Sequence, residues 1–447
     1  MQSITKILDG FKQNWTQELS DDAIAKAARD ADMTWNESTL NPVATIQIFF
    51  LQILHGNTAC EHLSLLAERS FTAAAYCKAR MRIKLEVFRL LLTRCVDQLQ
   101  QDTFDTARWL EHRVFHIDGS SFSMPDTPAL QTYFGQSGMQ QPGCGFPTAH
   151  WLVEMHAATG MIVRMLTGPL RTHEMSGVAQ LHPELRAGDV LVADRGFCSY
   201  AHLALLLQRG VHGLLRMHQR TIVDFTPRRA HGMPGKDAGD KNLGKPRSRW
   251  IKQLGATDQV VEWFKSMNRP AWMSAEQYAA LPASIVVREL RYVIREKGFR
   301  PKEITLVTTL LDGERYPLGD LAEQFHQRWE IETNFGHLKT TMKMDVLKCK
   351  TVDGVLREMV VFALVYNMVR QVLLEASRRQ DVDVSRISFI DALRWLQAAS
   401  PGNDLPRLVV NPHRPNRLEP RVIKRRPKQY DLMTKPRCQL KKELAGQ

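Results

Sequence analysis

Cysteine is scarce and widely scattered in this chain of 447 residues, which has seven cysteines, at positions 60, 77, 95, 144, 198, 349 and 438. No two of them form a C-x-x-C pair, and an odd number of distant cysteines suggests neither a zinc site nor a disulfide framework. The apolar run Ile46–Leu54 is too short to span a bilayer and contains two glutamines, so it predicts a buried helix. We therefore expect a protein of the reducing cytosol with no membrane segment.

Acidic residues are outnumbered by basic ones, 47 against 60, which gives a net charge of +13 and a pI near 9.5. An extended polyanion is the natural partner of such a chain. No secretory signal is visible in the first residues, which reach Asp9 and Lys12 at once. The length allows two or three domains with sizeable cores.

Residues 1–105 are predicted to be all-helical. Ser20 is placed to cap one helix, and Asn41-Pro42 begins the apolar helix that contains Ile46–Leu54. Four cations follow within seven positions, namely Lys78, Arg80, Arg82 and Lys84. Such a run is either a solvated helix face or a DNA-contact surface, and the sequence leaves both interpretations open.

The pattern changes from about residue 106. Strand patterns lie at Arg113–Asp118, Trp151–His156, Gly160–Leu166 and Gly188–Asp194, and helix patterns at Glu174–Leu185 and Ser199–Gln208. Asp118 and Asp194 are predicted to lie at or near the ends of their strands. Strands that alternate with helices and carry acids at their ends indicate a mixed α/β sheet.

From residue 211 to residue 318 the chain is predicted to be β-rich. The expected strands are Val211–Met217, Thr221–Phe225, Gln259–Phe264, Ser284–Ile294 and Ile304–Leu311. Between them, Arg228–Arg249 is rich in Gly, Pro, Lys and Arg and predicts an exposed basic loop. Further on, helices are expected at Val352–Arg379 and Ile387–Ala399, followed by a basic, proline-punctuated tail from Asn411.

The stretch Phe325–Lys339 is predicted to form one helix, because no proline interrupts it and long side chains dominate. At about 100° per residue, Arg328, Glu332 and Lys339 share a stripe roughly 60° wide beside an apolar face. A surface ion pair between Arg328 and Glu332 is one interpretation. The other is a functional group at the edge of a cleft.

Asp118, Asp194 and Glu332 become informative when they are taken together. Alone, an Asp-Gly at a strand end is commonly a turn, and Asp194 has Arg195 beside it as a partner for an ion pair. As a set, they provide the carboxylate oxygens that two hard divalent cations need for phosphoryl transfer. Arg328 and Lys339 would then hold flanking phosphates as a bidentate clamp and a point charge.

These motifs resemble the DDE transposases of bacterial insertion sequences, in insertion-sequence family four. The family signature Tyr-x2-Arg-x3-Glu-x6-Lys reads Phe325, Arg328, Glu332 and Lys339 in this chain. Further similar segments are His116–Ser121, Met124–Pro128, Ala193–Phe197, Gly298–Pro301 and Leu306–Leu311. The similarity runs from Ala79–Arg82 to Lys424–Lys428 and so covers most of the chain.

The resemblance implies an α/β fold with a ribonuclease-H-like catalytic core, a β-rich insertion, an N-terminal helical domain and C-terminal helices. Residues 1–105 would bind DNA ends, 106–210 would form the first part of the core and 211–318 the insertion. Residues 319–380 would complete the core with the signature helix, and 381–447 would form a C-terminal helix and basic tail.

The resemblance also implies the chemistry and the partners. Asp118, Asp194 and Glu332 would hold two Mg²⁺ ions, with Mn²⁺ able to substitute. Double-stranded DNA, as terminal inverted repeats and as target, would be bound by a homodimer in a synaptic complex in the bacterial cytoplasm, at the nucleoid. Expected phosphate contacts are Arg328, Lys339, Arg195 and Phe325, and further expected DNA contacts are Lys78, Arg80, Arg82, Lys84, Lys424, Arg425 and Arg426.

Two positions depart from the family pattern. Phe325 replaces the signature Tyr, which removes a phenolic contact to phosphate, although the ring can still pack or stack. Some relatives stack a flipped base on a Trp before the last strand of the insertion, where this chain has Ile304-Thr305. Trp263 or Trp272 is left either for that role or for the core.

Glu330 is a nearby alternative to Glu332, but it lies near 140° on the helical wheel, taking about 100° per residue, and it breaks both signature spacings. Two other functions also remain open. One is a ribonuclease-H-like DNA nuclease without strand transfer, and the other is an inactivated element protein that serves as a DNA-binding module.

Overall fold

The computed structural model of the chain describes residues 4–8, 14–100, 104, 107–170, 174–232, 244–295, 302–412 and 433–445. The strands are β1 (Val114–Ser123), β2 (Thr148–His156), β3 (Ile162–Pro169), β4 (Val190–Ala193), β5 (His212–Arg216), β6 (Arg249–Gly255), β7 (Asp258–Phe264), β8 (Ser284–Ile294) and β9 (Lys302–Thr308).

The helices are α1 (Ile4–Leu8), α2 (Asp21–Asp30), α3 (Pro42–Leu54), α4 (Leu63–Leu66), α5 (Ala73–Arg82), α6 (Leu85–Leu99), α7 (Pro128–Phe134), α8 (Glu174–Val178), α9 (Tyr200–Gln208), α10 (Ala275–Ala279), α11 (Leu318–Gln327), α12 (Trp329–Gly336), α13 (Val352–Gln380), α14 (Phe389–Ala398) and α15 (Arg437–Ala445). Short 3-10 helices lie at Asn14–Leu19, Cys60–His62, His182–Glu184, Arg195–Phe197 and Val384–Arg386.

Side-chain caps begin two of the N-terminal helices where the sequence predicts them. The Ser20 hydroxyl accepts a hydrogen bond from the amide of Ala23 at 3.3 Å, at the start of α2. Asn41 accepts from the amide of Ala44 at 2.9 Å, and Pro42 occupies the first turn of α3. Because capping satisfies amides that the first helical turn leaves unpaired, both predicted helix starts are confirmed.

The nine strands form one sheet in the order β3-β2-β1-β4-β5-β9-β8-β7-β6. β4 pairs parallel with β1 and with β5, and the other pairs are antiparallel. The predicted mixed α/β class is therefore confirmed. β5, which falls in the predicted insertion, continues the parallel part of the sheet, and β9 pairs with it through Leu214 and Thr308.

The centre of the sheet is apolar. All four residues of β4 are buried, as expected for a strand that has neighbours on both sides and covered faces. This burial explains why Val190–Ala193 is an unbroken apolar run, and it makes the carboxyl end of β4 a rigid support for the residue that follows.

One strand predicted in the β-rich region is wrong, and one strand of the structure is not predicted by the sequence. Thr221–Phe225 is not a strand, because the carbonyl of Asp224 accepts hydrogen bonds from the side chains of Arg229 and Gln259 instead of from a neighbouring strand. β6 was not predicted, and it begins at Arg249, the last residue of the predicted basic loop. Residues 233–243 of that loop lie outside the described residues.

The helix predicted over Phe325–Lys339 is interrupted. α11 ends at Gln327, α12 begins at Trp329, and residues His337–Thr341 form a π-helical turn. At the junction the amide of Arg328 bonds to the carbonyl of Phe325 at 3.2 Å. This amide bonds three residues back and not four as in a regular α-helix, so the predicted single helix is wrong while its helical character is confirmed.

Helix α13 is the longest helix of the described chain, with 29 residues. Its composition and length would suffice to cross a membrane, but 94% of its most apolar window is buried inside the protein. α13 packs against α3, α6 and α14. It therefore joins the N-terminal helices to the region around the sheet.

The C-terminal segment is described only in part. Residues 413–432, which include the expected DNA contacts Lys424, Arg425 and Arg426, lie outside the described residues. Beyond them, Arg437 of α15 bonds to Asp126 at 3.2 Å and stacks over the ring of Phe146 at 3.9 Å. This contact holds α15 against the segments that follow β1.

Candidate active site

The register of β1 and β4 brings two of the predicted carboxylates together. Ile117 of β1 pairs with Ala193 of β4 in the parallel ladder. Asp118 and Asp194 are the residues that follow this pair, so they lie side by side. Asp194 follows the last residue of β4, as predicted. Asp118 is not at a strand end, because β1 continues to Ser123 through its pairing with β2. It lies instead at the level where its parallel partner stops.

Arg328 connects the third carboxylate to this pair. Its Nη1 lies 3.2 Å from Oδ2 of Asp118, and its Nη2 lies 3.4 Å from Oε1 of Glu332. The Arg328 side chain is 5% exposed, whereas that of Glu332 is 44% exposed. The i,i+4 contact of Arg328 and Glu332 is thus present, but it is not the surface pair that the sequence left open.

Asp194 has a different cation beside it. Nη1 of Arg216, at the end of β5, lies 3.6 Å from Oδ1 of Asp194, and this oxygen is buried without a hydrogen bond. Arg195 instead donates to the side chain of Gln219 at 3.0 Å. The Asp194–Arg195 pair that the sequence left open is therefore not formed, and Arg216 is a site residue that the sequence did not reveal.

His116 lies on β1 two residues before Asp118, on the same face of the strand. Burial and the nearby charge of Arg328 lower its pKa to about 3, so the imidazole is neutral at pH 7. Its Nε2 is buried without a hydrogen bond. The sequence signals for it are its place on the same face as Asp118 and its position at the start of the similar segment His116–Ser121.

Divalent cations suit this set of oxygen donors in kind. Asp118, Asp194 and Glu332 offer hard carboxylate oxygens, and the buried Asp194 Oδ1 has no hydrogen bond. However, no group of three or more His, Cys, Asp or Glu within the described ranges is close enough to hold a metal ion as it stands. The guanidinium of Arg328 lies between two of the carboxylates, so a cation bound by both would compete with it.

Glu330 points away from this cluster. Burial raises its pKa, and the charged groups that influence it are Arg370 and Asp383, not Asp118 or Asp194. The geometry is consistent with the choice of Glu332, which contacts Arg328 directly.

The other signature residues lie around the cluster. Nζ of Lys339 lies 5.1 Å from the ring centroid of Phe122, and burial lowers the pKa of Lys339. Phe325 is 3% exposed and packs among the apolar residues beside β4 and β9. Its ring lies 5.7 Å from the guanidinium carbon of Arg328. The buried ring packs against protein, and the expected contact of Phe325 with DNA stays a prediction.

Trp329 is an aromatic residue that the sequence reading missed. It is 51% exposed and lies between two cations, with Nζ of Lys302 at 5.8 Å and Cζ of Arg328 at 5.9 Å from its ring centroid. Trp263 and Trp272 pack against the core instead. The adjacency of Trp329 to the signature arginine was the available signal.

A pair of buried histidines supports the turn after Asp194. Nε2 of His182 lies 3.1 Å from Nε2 of His202, whose Nδ1 lies 2.8 Å from the carbonyl of Phe197. Because a carbonyl only accepts, His202 donates from Nδ1 and accepts from His182 at Nε2. The Phe197 amide in turn bonds to the carbonyl of Asp194 at 3.0 Å.

The cation run on α5 has two kinds of members. Lys78 and Arg82 are exposed. Arg80 points inward and donates to Oε1 of Gln52 at 2.9 Å, and Lys84 donates to the carbonyls of Ala31 and Asp32, just beyond the end of α2. Two of the four cations therefore contact other parts of the protein, and the expected DNA contacts of this run stay predictions.

Comparison with known proteins agrees with the expected family. Residues 109–368, more than half of the chain, match the model of the transposase DDE domain. The chain is 24% identical over 388 residues to the transposase InsG for insertion sequence element IS4 of Escherichia coli strain K12, which covers 82% of this chain and 80% of that protein.

Among solved structures, the chain is similar to piggyBac transposase in its synaptic complex with hairpin DNA, in a cryo-EM structure. The sequence identity is 11%, the TM-score is 0.42, and the alignment covers 88% of this chain and 76% of the other.

The sheet and its cluster of acids define a mixed α/β protein with carboxylates gathered on neighbouring strands. The chain belongs to the DDE transposases, in insertion-sequence family four, and the resemblance seen in the signature residues is thereby confirmed. Enzymes of this family cut and join DNA, generally with divalent metal ions.

Proposed function

We propose that this transposase binds the inverted-repeat ends of its own insertion sequence, cleaves them and joins the 3′ ends to target DNA. One observation carries the proposal: the β1–β4 register sets Asp118 beside Asp194, and Arg328 ties Glu332 to Asp118. Cleavage and joining are both in-line displacements at phosphorus, so one set of acids serves both.

Asp118, Asp194 and Glu332 are the proposed ligands of two Mg²⁺ ions, with Mn²⁺ able to substitute. Bound there, the ions would lower the pKa of the attacking water or hydroxyl and stabilise the leaving oxygen. Arg328, released from the two carboxylates, would hold a DNA phosphate through its planar fork. Lys339 and the exposed Arg195 would supply further positive charge for the backbone.

A ribonuclease-H-like core is part of the proposal. The order β3-β2-β1-β4-β5, with β4 parallel to both of its neighbours, supports it. Because β5 belongs to this group, we place the start of the insertion after Arg216, not at residue 211. The other proposed boundaries remain near residues 105, 318 and 380.

Double-stranded DNA, as inverted repeats and as target, is the proposed partner of a homodimer in the bacterial nucleoid. The net charge of +13 supports a polyanionic partner. A nuclease without strand transfer and an inactivated element protein remain the alternatives. The buried position of Phe325 weakens the second, because the missing phenol leaves the carboxylates and Arg328 in place.

The test is cleavage of a supercoiled plasmid that carries the terminal inverted repeats, with Mg²⁺ or Mn²⁺. We expect Asp118→Ala, Asp194→Ala and Glu332→Gln each to abolish cleavage while binding to the ends survives. Glu330→Gln is the matched control and should keep most activity. A substituted chain that still cuts at near the wild-type rate would remove that residue from the catalytic set.

A further inference from the structure

A cavity of about 360 Å³ opens where the N-terminal helices meet the segment that follows the signature stretch. One wall comes from α3 and α5, with Phe49, Cys77 and Arg80. The opposite wall comes from residues 348–351 and the first turn of α13, including Lys350. The cavity therefore touches both the predicted end-binding domain and the chain that leads away from the candidate active site.

Arg80 has no anionic partner in this cavity. Its Nη1 donates to Oε1 of Gln52 at 2.9 Å, its Nη2 contacts Sγ of Cys349 at 3.5 Å, and its guanidinium lies 4.7 Å from the ring centroid of Phe49. In the part of the chain that the structure describes, no carboxylate forms an ion pair with it. A largely buried cation whose acceptors are all uncharged is costly unless a counter-ion is supplied.

The thiols around Arg80 do not supply that counter-ion. Burial raises the pKa of Cys60 to about 11 and also raises the pKa of Cys349, so both thiols are neutral at pH 7. Sγ of Cys77 lies 3.6 Å from Sγ of Cys60, on the same wall. Cys60 and Cys349 therefore contribute no negative charge to the walls.

Glu358, a buried acid near the cavity, makes its hydrogen bonds with groups other than Arg80. The Glu358 carboxylate accepts hydrogen bonds from the side chain of Asn57 at 2.6 Å and from the amides of Lys348 and Cys349, both at 2.9 Å. These three donors use its oxygens to hold the chain after the signature stretch against α13. Glu358 keeps its negative charge and acts on Arg80 from a distance, but in the described part of the chain the two side chains form no ion pair.

Other cations add to the positive charge of the cavity. The guanidinium of Arg357 donates to the carbonyls of Arg80, Met81 and Ile83 around the end of α5, and its ion pair with the exposed Asp353 is long, at 3.9 Å. Lys350 is exposed at the rim. Since α13 also begins here, its N-terminal partial charge has the same sign.

We propose that this cavity binds a phosphate group of double-stranded DNA, with the fork of Arg80 at its floor and Lys350 at its rim. The proposal rests on the proposed function, because it names a contact of the same DNA substrate. A whole duplex cannot enter a space of about 360 Å³, so one backbone phosphate and its sugar are the matching unit. The phosphate would bridge α5 and α13 and so connect end binding to the chain that follows Lys339.

The experiment measures equilibrium binding of the full chain to an inverted-repeat duplex over a series of NaCl concentrations, without divalent ions. Lys350→Gln should weaken binding several-fold and reduce the slope of log K against log [NaCl] by about 0.9, the value for one lost phosphate contact. Lys252→Gln, an exposed lysine of β6, is the matched change of charge. Equal slopes for these two variants would overturn the proposal.

Arg80→Lys keeps the charge but removes the fork, and it should weaken binding more than Lys350→Gln does. If the melting temperature of Arg80→Lys falls, its weaker binding could come from lost stability. The binding result for Lys350→Gln then decides whether the cavity contacts a phosphate. Inorganic phosphate and pyrophosphate separate the two sources of the ligand group. Should they raise the melting temperature of the wild type but not of Lys350→Gln, while the DNA slope stays unchanged, the site takes free phosphate and the DNA assignment is wrong.

Plasmid cleavage by the same preparations distinguishes the two proposals. A wild-type chain that cleaves, together with an unchanged slope for Lys350→Gln, removes only the cavity contact. If the wild-type chain does not cleave, but the salt slope of Lys350→Gln is reduced, the cavity contact is supported and the proposed function is contradicted.

Discussion

Arg328 and Arg80 are two arginines whose side chains are largely shielded from bulk water. Their surroundings are very different. Arg328 has two carboxylates, at 3.2 Å and 3.4 Å, whereas Arg80 has an amide oxygen, a neutral thiol and an aromatic face. Where carboxylates already neutralise the arginine, a second cation must compete with it. Where no carboxylate is present, an anion is the ligand that the charge attracts.

This difference gives each arginine its own dependence on ligands. At the candidate active site, DNA and divalent ions would each strengthen the binding of the other, because a phosphate offers Arg328 a new partner when the carboxylates bind metal. In the cavity, DNA alone would suffice, and divalent ions would have no direct effect on Arg80.

The largest effect is expected for Arg328→Met. Cleavage should fall about 10²–10³-fold, as it does when one preorganised hydrogen-bond donor is removed from an active site. Binding of Mn²⁺ to the DNA-free chain should become tighter, because Asp118 and Glu332 lose their competing cation. Plasmid cleavage and calorimetric titration with Mn²⁺ measure the two effects.

Arg216→Met is the control for this comparison, since Arg216 faces a single carboxylate at 3.6 Å. It should change Mn²⁺ affinity less than Arg328→Met does. An Mn²⁺ affinity of Arg328→Met equal to that of the wild type would show that Arg328 does not compete for the carboxylates.

A loss of stability in acid is the next effect in size. The folded pKa of His116 is lowered to about 3, below the ordinary value of 6.5, by burial and by Arg328. As pH falls below 6.5 the unfolded chain takes up a proton that the folded chain refuses, so stability declines from pH 6.5 towards pH 3. Between pH 7 and pH 5 this one histidine should account for about 2 kcal/mol.

Urea unfolding at pH 7 and at pH 5 measures this decline, and His116→Phe should make it shallower. His62→Phe, at an exposed position, is the matched histidine substitution for comparison. If His116→Phe and the wild type lose the same stability, the imidazole is already protonated in the folded chain.

The smallest effect is expected for Phe325→Tyr, which restores the family signature. The ring is buried beside Arg328, so the added hydroxyl should reduce the free energy of unfolding by about 1–3 kcal/mol if it finds no partner. Cleavage should change by less than about tenfold. This is well below the change of about 10²–10³-fold that follows the loss of one preorganised hydrogen-bond donor at a reacting group. A large gain in cleavage would mean that the phenol reaches DNA and that the ring leaves its buried position.

Local features of the fold were predictable because they depend on neighbours in the sequence. Ser20 and Asn41 cap helices through amides three residues away. The β8 strand, Ser284–Ile294, has the predicted bounds. Thr221–Phe225 failed as a strand, because side chains from elsewhere bind the Asp224 carbonyl.

The candidate site was predictable in its acids but not in its counter-ions. The family spacing identifies Glu332 from the sequence alone. The partners of Arg328 and Asp194 depend on which strands lie side by side, and Arg216 reaches Asp194 only because β5 pairs with β4. Likewise, the orientation of Arg80 follows from its packing against Phe49 and Gln52 on another helix.

The sequence by itself determined the class of this protein and its helical and strand-rich regions, and it named the three candidate carboxylates. Those properties lie in residue types and short spacings. Only the tertiary structure decided that one sheet continues from β5 into β9, that Arg328 is shared by two acids and that Arg80 is left without one. The reason is that charges find their partners through space, across elements that are far apart in the chain.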